Sequence, residues 1–139
     1  MTLENHKYTA HATARGQGRD GEVETDDDAK LKLHLAMPRS LGGKGDGQNP
    51  EQLLAMGYSA CLLSAIQFAS NRLGKTDEAR SAVVHAQVHI GKPNGMEGFG
   101  LEVEIQVEGV SQELVDAGNA ACPYSRAFKN GAKVTVTKK

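Results

Sequence analysis

The chain has 139 residues, within the usual size of one domain, and its 16 Lys and Arg against 17 Asp and Glu leave a formal net charge of −1. That balance argues against a nucleic-acid binder working through a large basic surface, and against an acidic tail. With 39% hydrophobic residues, no apolar run near the ~20 residues of a membrane helix and no apolar segment in residues 1–7, it reads as a soluble, cytoplasmic protein without an export signal.

Residues 8–14 and 22–25 read as strands flanking the loop Arg15-Gly16-Gln17-Gly18-Arg19-Asp20-Gly21. Glycine there permits positive φ, and Asp20-Gly21 is a hairpin-type turn signal. Leu31, Leu33 and Leu35 alternate with Lys32 and His34 at strand period. The run Leu41-Gly42-Gly43-Lys44-Gly45-Asp46-Gly47 is not a phosphate loop, because Gly45 stands where Ser or Thr should follow the lysine. It reads as a mobile loop beside an active site.

A long helix is predicted from Pro50 to Leu73. Asn49 is a good N-cap, Pro50 suits the first helical position, and Gly74 suits the position past the end. Its 24 residues span about 36 Å. Leu53, Leu54, Met56, Tyr58, Cys61, Leu62, Leu63, Ile66 and Phe68 cover nearly its whole circumference, so burial on most sides is expected. A chain of this size has few other elements to wrap it, and a partner subunit would solve that problem.

Beyond the helix, residues 82–90 form a second β-type run. His85 and His89 would be about 13 Å apart on a strand, too far for one metal ion. Leu101, Val103, Ile105 and Val107 alternate with Glu102, Glu104, Gln106 and Glu108, the clearest strand pattern in the chain. A shorter helix is predicted from Ser111 to about Ala121, with Pro123 marking a break or a new first turn. Val134 and Val136 alternate with Lys133, Thr135 and Thr137, which predicts a last strand. The whole reads as a single domain, residues 1–139.

Only two cysteines occur, Cys61 and Cys122, too few for a disulfide scaffold. No Cys-x-x-Cys is present, which weakens zinc-knuckle and thioredoxin-type readings. Taken alone, both thiols read as small buried hydrophobes.

Their surroundings change that reading. The stretch Asn49-Pro50-Glu51-Gln52-Leu53-Leu54-Ala55-Met56-Gly57-Tyr58-Ser59-Ala60-Cys61 resembles the first-helix signature of the OsmC/Ohr superfamily. Cys122-Pro123-Tyr124-Ser125 resembles the second-cysteine motif of its organic hydroperoxide resistance (Ohr) branch. Gly18-Arg19-Asp20-Gly21, and Pro38 followed by Leu41-Gly42-Gly43, fit the same pattern. Two departures are Leu62, where Ohr members often have Phe, and Arg126-Ala127-Phe128-Lys129 after the second motif.

The resemblance implies an α+β fold with antiparallel sheets packed around long central helices in an intertwined homodimer. It implies a thiol peroxidase that reduces alkyl or fatty-acid hydroperoxides to alcohols, with Cys61 attacking and Cys122 resolving. Cys61 lies about twelve residues into its helix, beyond the reach of that helix's own N-terminal dipole. The resemblance assigns its activation to Arg19, with Glu51 holding the guanidinium. No cofactor is expected to be bound, and the implied reductant is a lipoyl dithiol, free or carried on a protein. The apolar Tyr58, Leu62 and Ile66 suggest a greasy substrate pocket. Alternatives are an OsmC-branch peroxidase and a non-catalytic redox sensor or binding protein. If the helix is unbroken, Glu51 and Cys61 lie about 15 Å apart and about 80° out of register, so Glu51, with Arg19, is expected to serve Cys61 across a dimer interface.

Overall fold

A computed structural model describes residues 1–139 as two compact units, Glu4–Leu54 and Met1–Leu3 with Ala55–Lys139. Both are mixed: short antiparallel strands and helices make an α+β architecture.

In the unit Glu4–Leu54, β1 (Ala12–Arg15), β2 (Glu22–Thr25) and β3 (Lys32–His34) form an antiparallel sheet in chain order. Arg15 pairs with Glu22 and Val23 with Leu33, which sets the register. The β1–β2 connection needs glycine for two different reasons. Gly16 and Gly18 have φ of 96° and 63°, a region most residues avoid. A Cβ on Gly21 would collide with the carbonyl oxygen of Arg15. A 3₁₀ turn, Gly18–Asp20, lies in this loop and carries Arg19.

One expectation is corrected in this unit. The first strand is shorter than residues 8–14 and shifted toward the loop: beyond the Ala12–Thr25 pair the pairing continues by one bond, from the Asp26 N–H to the His11 carbonyl. The glycine-rich loop is folded into turns by its own backbone. Gly42 donates to Arg39, Gly43 to Pro38 and Gly45 to Met37.

Helix α1 runs unbroken from Pro50 to Leu73. Its start is a reciprocal capping box. Asn49 Oδ1 accepts the Gln52 N–H and Gln52 Oε1 accepts the Asn49 N–H, both at 2.9 Å. It stops at Gly74, whose φ is 67°.

In the unit containing Ala55–Lys139, α1 is followed by α2 (Thr76–Ala79), β4 (Val83–Gly91), β5 (Gly100–Glu108), α3 (Gln112–Ala121) and α4 (Pro123–Asn130). β4 and β5 pair antiparallel from Val83↔Glu108 to Gly91↔Gly100. Val84, Val103, Ile105 and Val107 turn toward the core, while His85 and His89 face outward toward Glu108 and Glu104. Tyr58, Leu62, Ala65, Ile66 and Ala69 form the buried stripe of α1, together with Leu114 and Cys122. Ile66 is 0% exposed, and burying such a side chain contributes about 1.5–3 kcal/mol. α3 approaches α1 closely at Gly118, where a Cβ would lie 2.9 Å from the Ile66 Cα.

Three more expectations are corrected here. α1 is not buried on most sides: Met56 and Phe68 remain 59% and 60% exposed, because this chain supplies elements for one face only. α1 is also long and apolar enough, by length and composition alone, to cross a membrane, so the expectation of no such run does not hold. The last strand does not form. Val134 and Val136 are 79% and 89% exposed, and residues 131–139 contain no strand. Alternation prepares a strand face, but a strand also needs a partner ladder, and here Lys133 N–H finds only the Met1 carbonyl.

Candidate active site: a thiol pair and an arginine–glutamate pair

Cys122 sits at the break between α3 and α4, and its backbone explains the break. A residue before proline is pushed out of the helical region, and Cys122 has φ −66° and ψ 122°. Pro123 lacks an N–H and suits the first helical position, so the chain re-enters a helix at once. Cys122 is 0% exposed, whereas Cys61, midway along α1, is half-buried.

Sixty-one residues apart in sequence, the two sulfurs lie 3.7 Å from each other. Both are free thiols. A disulfide needs about 2.05 Å, so this is a reduced pair poised close to bonding distance. Burial pushes the Cys61 thiol above its usual range. The backbone N–H of Tyr124 pulls it back, and Cys122 adds to the rise.

α4 rests on α1 one turn before Cys61. The Tyr58 hydroxyl meets the Ser125 hydroxyl at 2.9 Å in a buried contact. The Tyr58 ring stacks on Phe128 at 5.5 Å and 9°, and tilts against Tyr124 at 5.5 Å and 50°. Gly57 leaves room for Tyr124, whose hydroxyl would lie 2.9 Å from a Cβ there.

Of the three residues read as pocket lining, Leu62 and Ile66 are closed inside the core cluster. Tyr58 lines a cavity of about 630 Å³ with Asp116, Ser125, Arg126, Phe128 and Lys129 among its walls. Sequence reading missed Ser125 and Phe128 as partners of Tyr58. Their signal was the three-residue spacing after Pro123, which puts both on one helix face.

In the other unit, Arg19 and Glu51 form a two-pronged pair. Nη1 donates to Oε2 at 3.1 Å and Nη2 to Oε1 at 2.6 Å. The 3₁₀ turn presents Arg19, and the first turn of α1 presents Glu51. Hydrogen bonding from Arg19 holds the Glu51 carboxyl below the usual carboxylate range, and Glu51 raises Arg19 in turn. The guanidinium is therefore a fixed, oriented charge.

Short antiparallel sheets, a long helix and a close thiol pair define a class of redox-capable α+β proteins. Within it, this chain belongs to the OsmC-like protein family, whose profile matches residues 43–137, and to its organic hydroperoxide resistance branch. It is 42% identical to the organic hydroperoxide resistance protein of Xanthomonas axonopodis pv. citri, over 94% of this chain and 93% of that one. A crystal structure of an organic hydroperoxide resistance protein from Legionella pneumophila aligns with TM-score 0.77 and 40% identity, covering 91% of this chain and 93% of that one. OhrB of Bacillus subtilis aligns with TM-score 0.74 and 34% identity, over 88% and 91%.

Proposed function

We propose that the protein is a cysteine peroxidase that reduces organic hydroperoxides to alcohols in the cytoplasm. The observation that carries this reading is the approach of the two free thiols to 3.7 Å. The names of its relatives support the substrate class.

The Cys61 thiolate attacks one peroxide oxygen. The O–O bond breaks, an alcohol leaves with a proton, and Cys61 becomes a sulfenic acid. Cys122 then attacks that sulfur, water leaves, and a Cys61–Cys122 disulfide forms. The buried resolving thiol thereby shields Cys61 from further oxidation. A lipoyl dithiol such as dihydrolipoamide, free or protein-bound, reopens the disulfide by exchange and is itself oxidised to its cyclic disulfide.

Cys61 needs help to ionise, since burial raises its pKa. Arg19, oriented by Glu51, supplies the cation. Residues ten apart on a helix lie about 15 Å from each other along its axis, and α1 is continuous through Glu51 and Cys61. On this reading the pair that serves Cys61 comes from a second copy of the chain in a homodimer. The exposed Met56 and Phe68 on α1 give that copy an apolar surface to cover.

The test is steady-state turnover with dihydrolipoamide. Cumene hydroperoxide should be consumed over many cycles and much faster than hydrogen peroxide. A single equivalent consumed per chain, with dithiol in excess, would overturn the enzyme reading in favour of a sensor.

A further inference from the structure

Tyr58 and Cys61 are three residues apart on α1, and Cys122 and Ser125 are three residues apart at the start of α4. Positions i and i+3 share a helix face. The O···O contact of Tyr58 with Ser125 at 2.9 Å and the S···S contact at 3.7 Å are thus two neighbouring rungs between the same two segments. Cys122 has no side-chain capping bond; its N–H is held by the Gly118 carbonyl of α3, and its own carbonyl accepts the Arg126 N–H of α4. Its sulfur is therefore set opposite Cys61 by the seats of both helices, and for α4 the buried Tyr58–Ser125 bond ties that seat to α1.

We infer that Tyr58 and Ser125 are positioning residues, whose buried hydrogen bond latches α4 to α1 and holds Cys122 ready to close on Cys61. This assignment rests on the proposed peroxidase reading for its role in turnover. The latch acts on the second chemical step. Closing the disulfide brings the sulfurs from 3.7 Å to about 2.05 Å, expelling water from the Cys61 sulfenic acid. A latched α4 needs only that short movement. An unlatched α4 must first find it again. The stacked contact of Tyr58 with Phe128 and its tilted contact with Tyr124 remain when the hydroxyls are removed, so Tyr58→Phe and Ser125→Ala delete the bond while keeping the aromatic contacts.

Two measurements test the latch. The first follows the reduced protein with one equivalent of cumene hydroperoxide and no dithiol, quenching with a sulfenic-acid trap and counting trapped Cys61 and disulfide by mass. Disulfide closure should slow about tenfold more than the first oxidation in each single variant, and trapped Cys61 should accumulate. The double variant should be no slower than either single one, since all three break the same bond. The second measurement equilibrates the protein in dithiothreitol redox buffers without peroxide. Each variant should favour the dithiol about tenfold more than the parent does, a shift of about 30 mV. Parent-like closure and parent-like equilibrium in both variants would overturn the latch, as would equal slowing of both steps. A parent that forms no disulfide with peroxide would sink the peroxidase reading instead, and the redox-buffer arm would still decide the latch. Two independent variants keep the result readable if one fails to fold.

Discussion

The sulfurs of Cys61 and Cys122 lie 3.7 Å apart, and the backbone N–H of Tyr124 works to lower the Cys61 pKa against burial. Tyr124 is the second residue of α4, where a helix has unpaired N–H groups, and Cys122 offers α4 no side-chain cap. The lowering by Tyr124 is too small to offset burial, which still leaves the Cys61 thiol above its ordinary range. Thiolate chemistry at neutral pH therefore calls for a further positive charge.

Replacing that charge gives the first prediction. Arg19→Ala should slow the first oxidation by roughly tenfold or more at neutral pH, since one pKa unit is a factor of about ten in thiolate. Cys61 ionises as pH rises, so the loss should shrink toward alkaline pH. Arg19→Lys should recover only part, because a point charge lacks the guanidinium fork. Thiolate absorbance titration checks this; an unchanged Cys61 titration in Arg19→Ala would exclude Arg19 as activator.

Glu51 sets the acid side. Its folded carboxyl is held below the usual range by Arg19. The pair's contribution is therefore full above the ordinary Glu pKa and is lost as pH falls through the lowered folded value. For a partly exposed pair that contribution is about 1 kcal/mol. Acid unfolding of the reduced protein should show a loss of stability that begins below about pH 4.5, and in Glu51→Gln this component should be absent. An identical acid limb in the variant would show that another group controls it.

Parts of this arrangement were legible in sequence for definite reasons. Asn49, Pro50 and Gly74 bound α1 because caps and breakers act locally. The β5 alternation works because one sheet face meets the core. The approach of Cys61 to Cys122 came from family resemblance, since residues 61 positions apart meet only through tertiary packing. The strand over Val134 and Val136 failed because alternation specifies a face and not a partner. Tyr58 shows the same gap. Its apolar neighbours on α1 suggested a pocket, and only the seat of α4 reveals its bond to Ser125.

Two glycines on facing helices should respond oppositely to a methyl group. At Gly118 the Cβ would strike the Ile66 side chain and lie 2.9 Å from its Cα, which cannot move without shifting α1. Gly118→Ala should cost about 1–3 kcal/mol, lowering the melting temperature by several degrees. At Gly57 the Cβ meets the far end of Tyr124, a side chain that can swing. There the helix-propensity gain of about 1 kcal/mol offsets the crowding, and stability should change little. Thermal melts of both variants check the contrast; equal losses would contradict it.

The two cysteines should separate by step. Cys61→Ser should abolish peroxide reduction, because no attacking thiolate remains. Cys122→Ser should allow one rapid oxidation, then lose dithiol-dependent turnover and accumulate sulfinic acid under excess peroxide. Mass analysis after one and after ten equivalents distinguishes these. Near-normal turnover in both variants would remove the thiols from the mechanism.

The last prediction concerns where the cation comes from. α1 is unbroken from Pro50 to Leu73, and ten helical residues rise about 15 Å. Ten helical residues also turn the two side chains about 80° apart. Arg19 is gripped by both oxygens of Glu51, which ties the cation to the start of the helix. Two antiparallel copies of α1 would set Glu51 of one copy beside Cys61 of the other, and the exposed Met56 and Phe68 are apolar surface for such packing. Cys61→Ser and Glu51→Ala proteins should each be strongly impaired alone. Co-expressed with different tags and purified as mixed dimers, they should regain roughly half the parental activity per dimer. One composite site then carries both lesions and the other carries neither. Mixed dimers no more active than the parents would place Arg19, Glu51 and Cys61 of each site in one chain, and the cross-subunit assignment would fall.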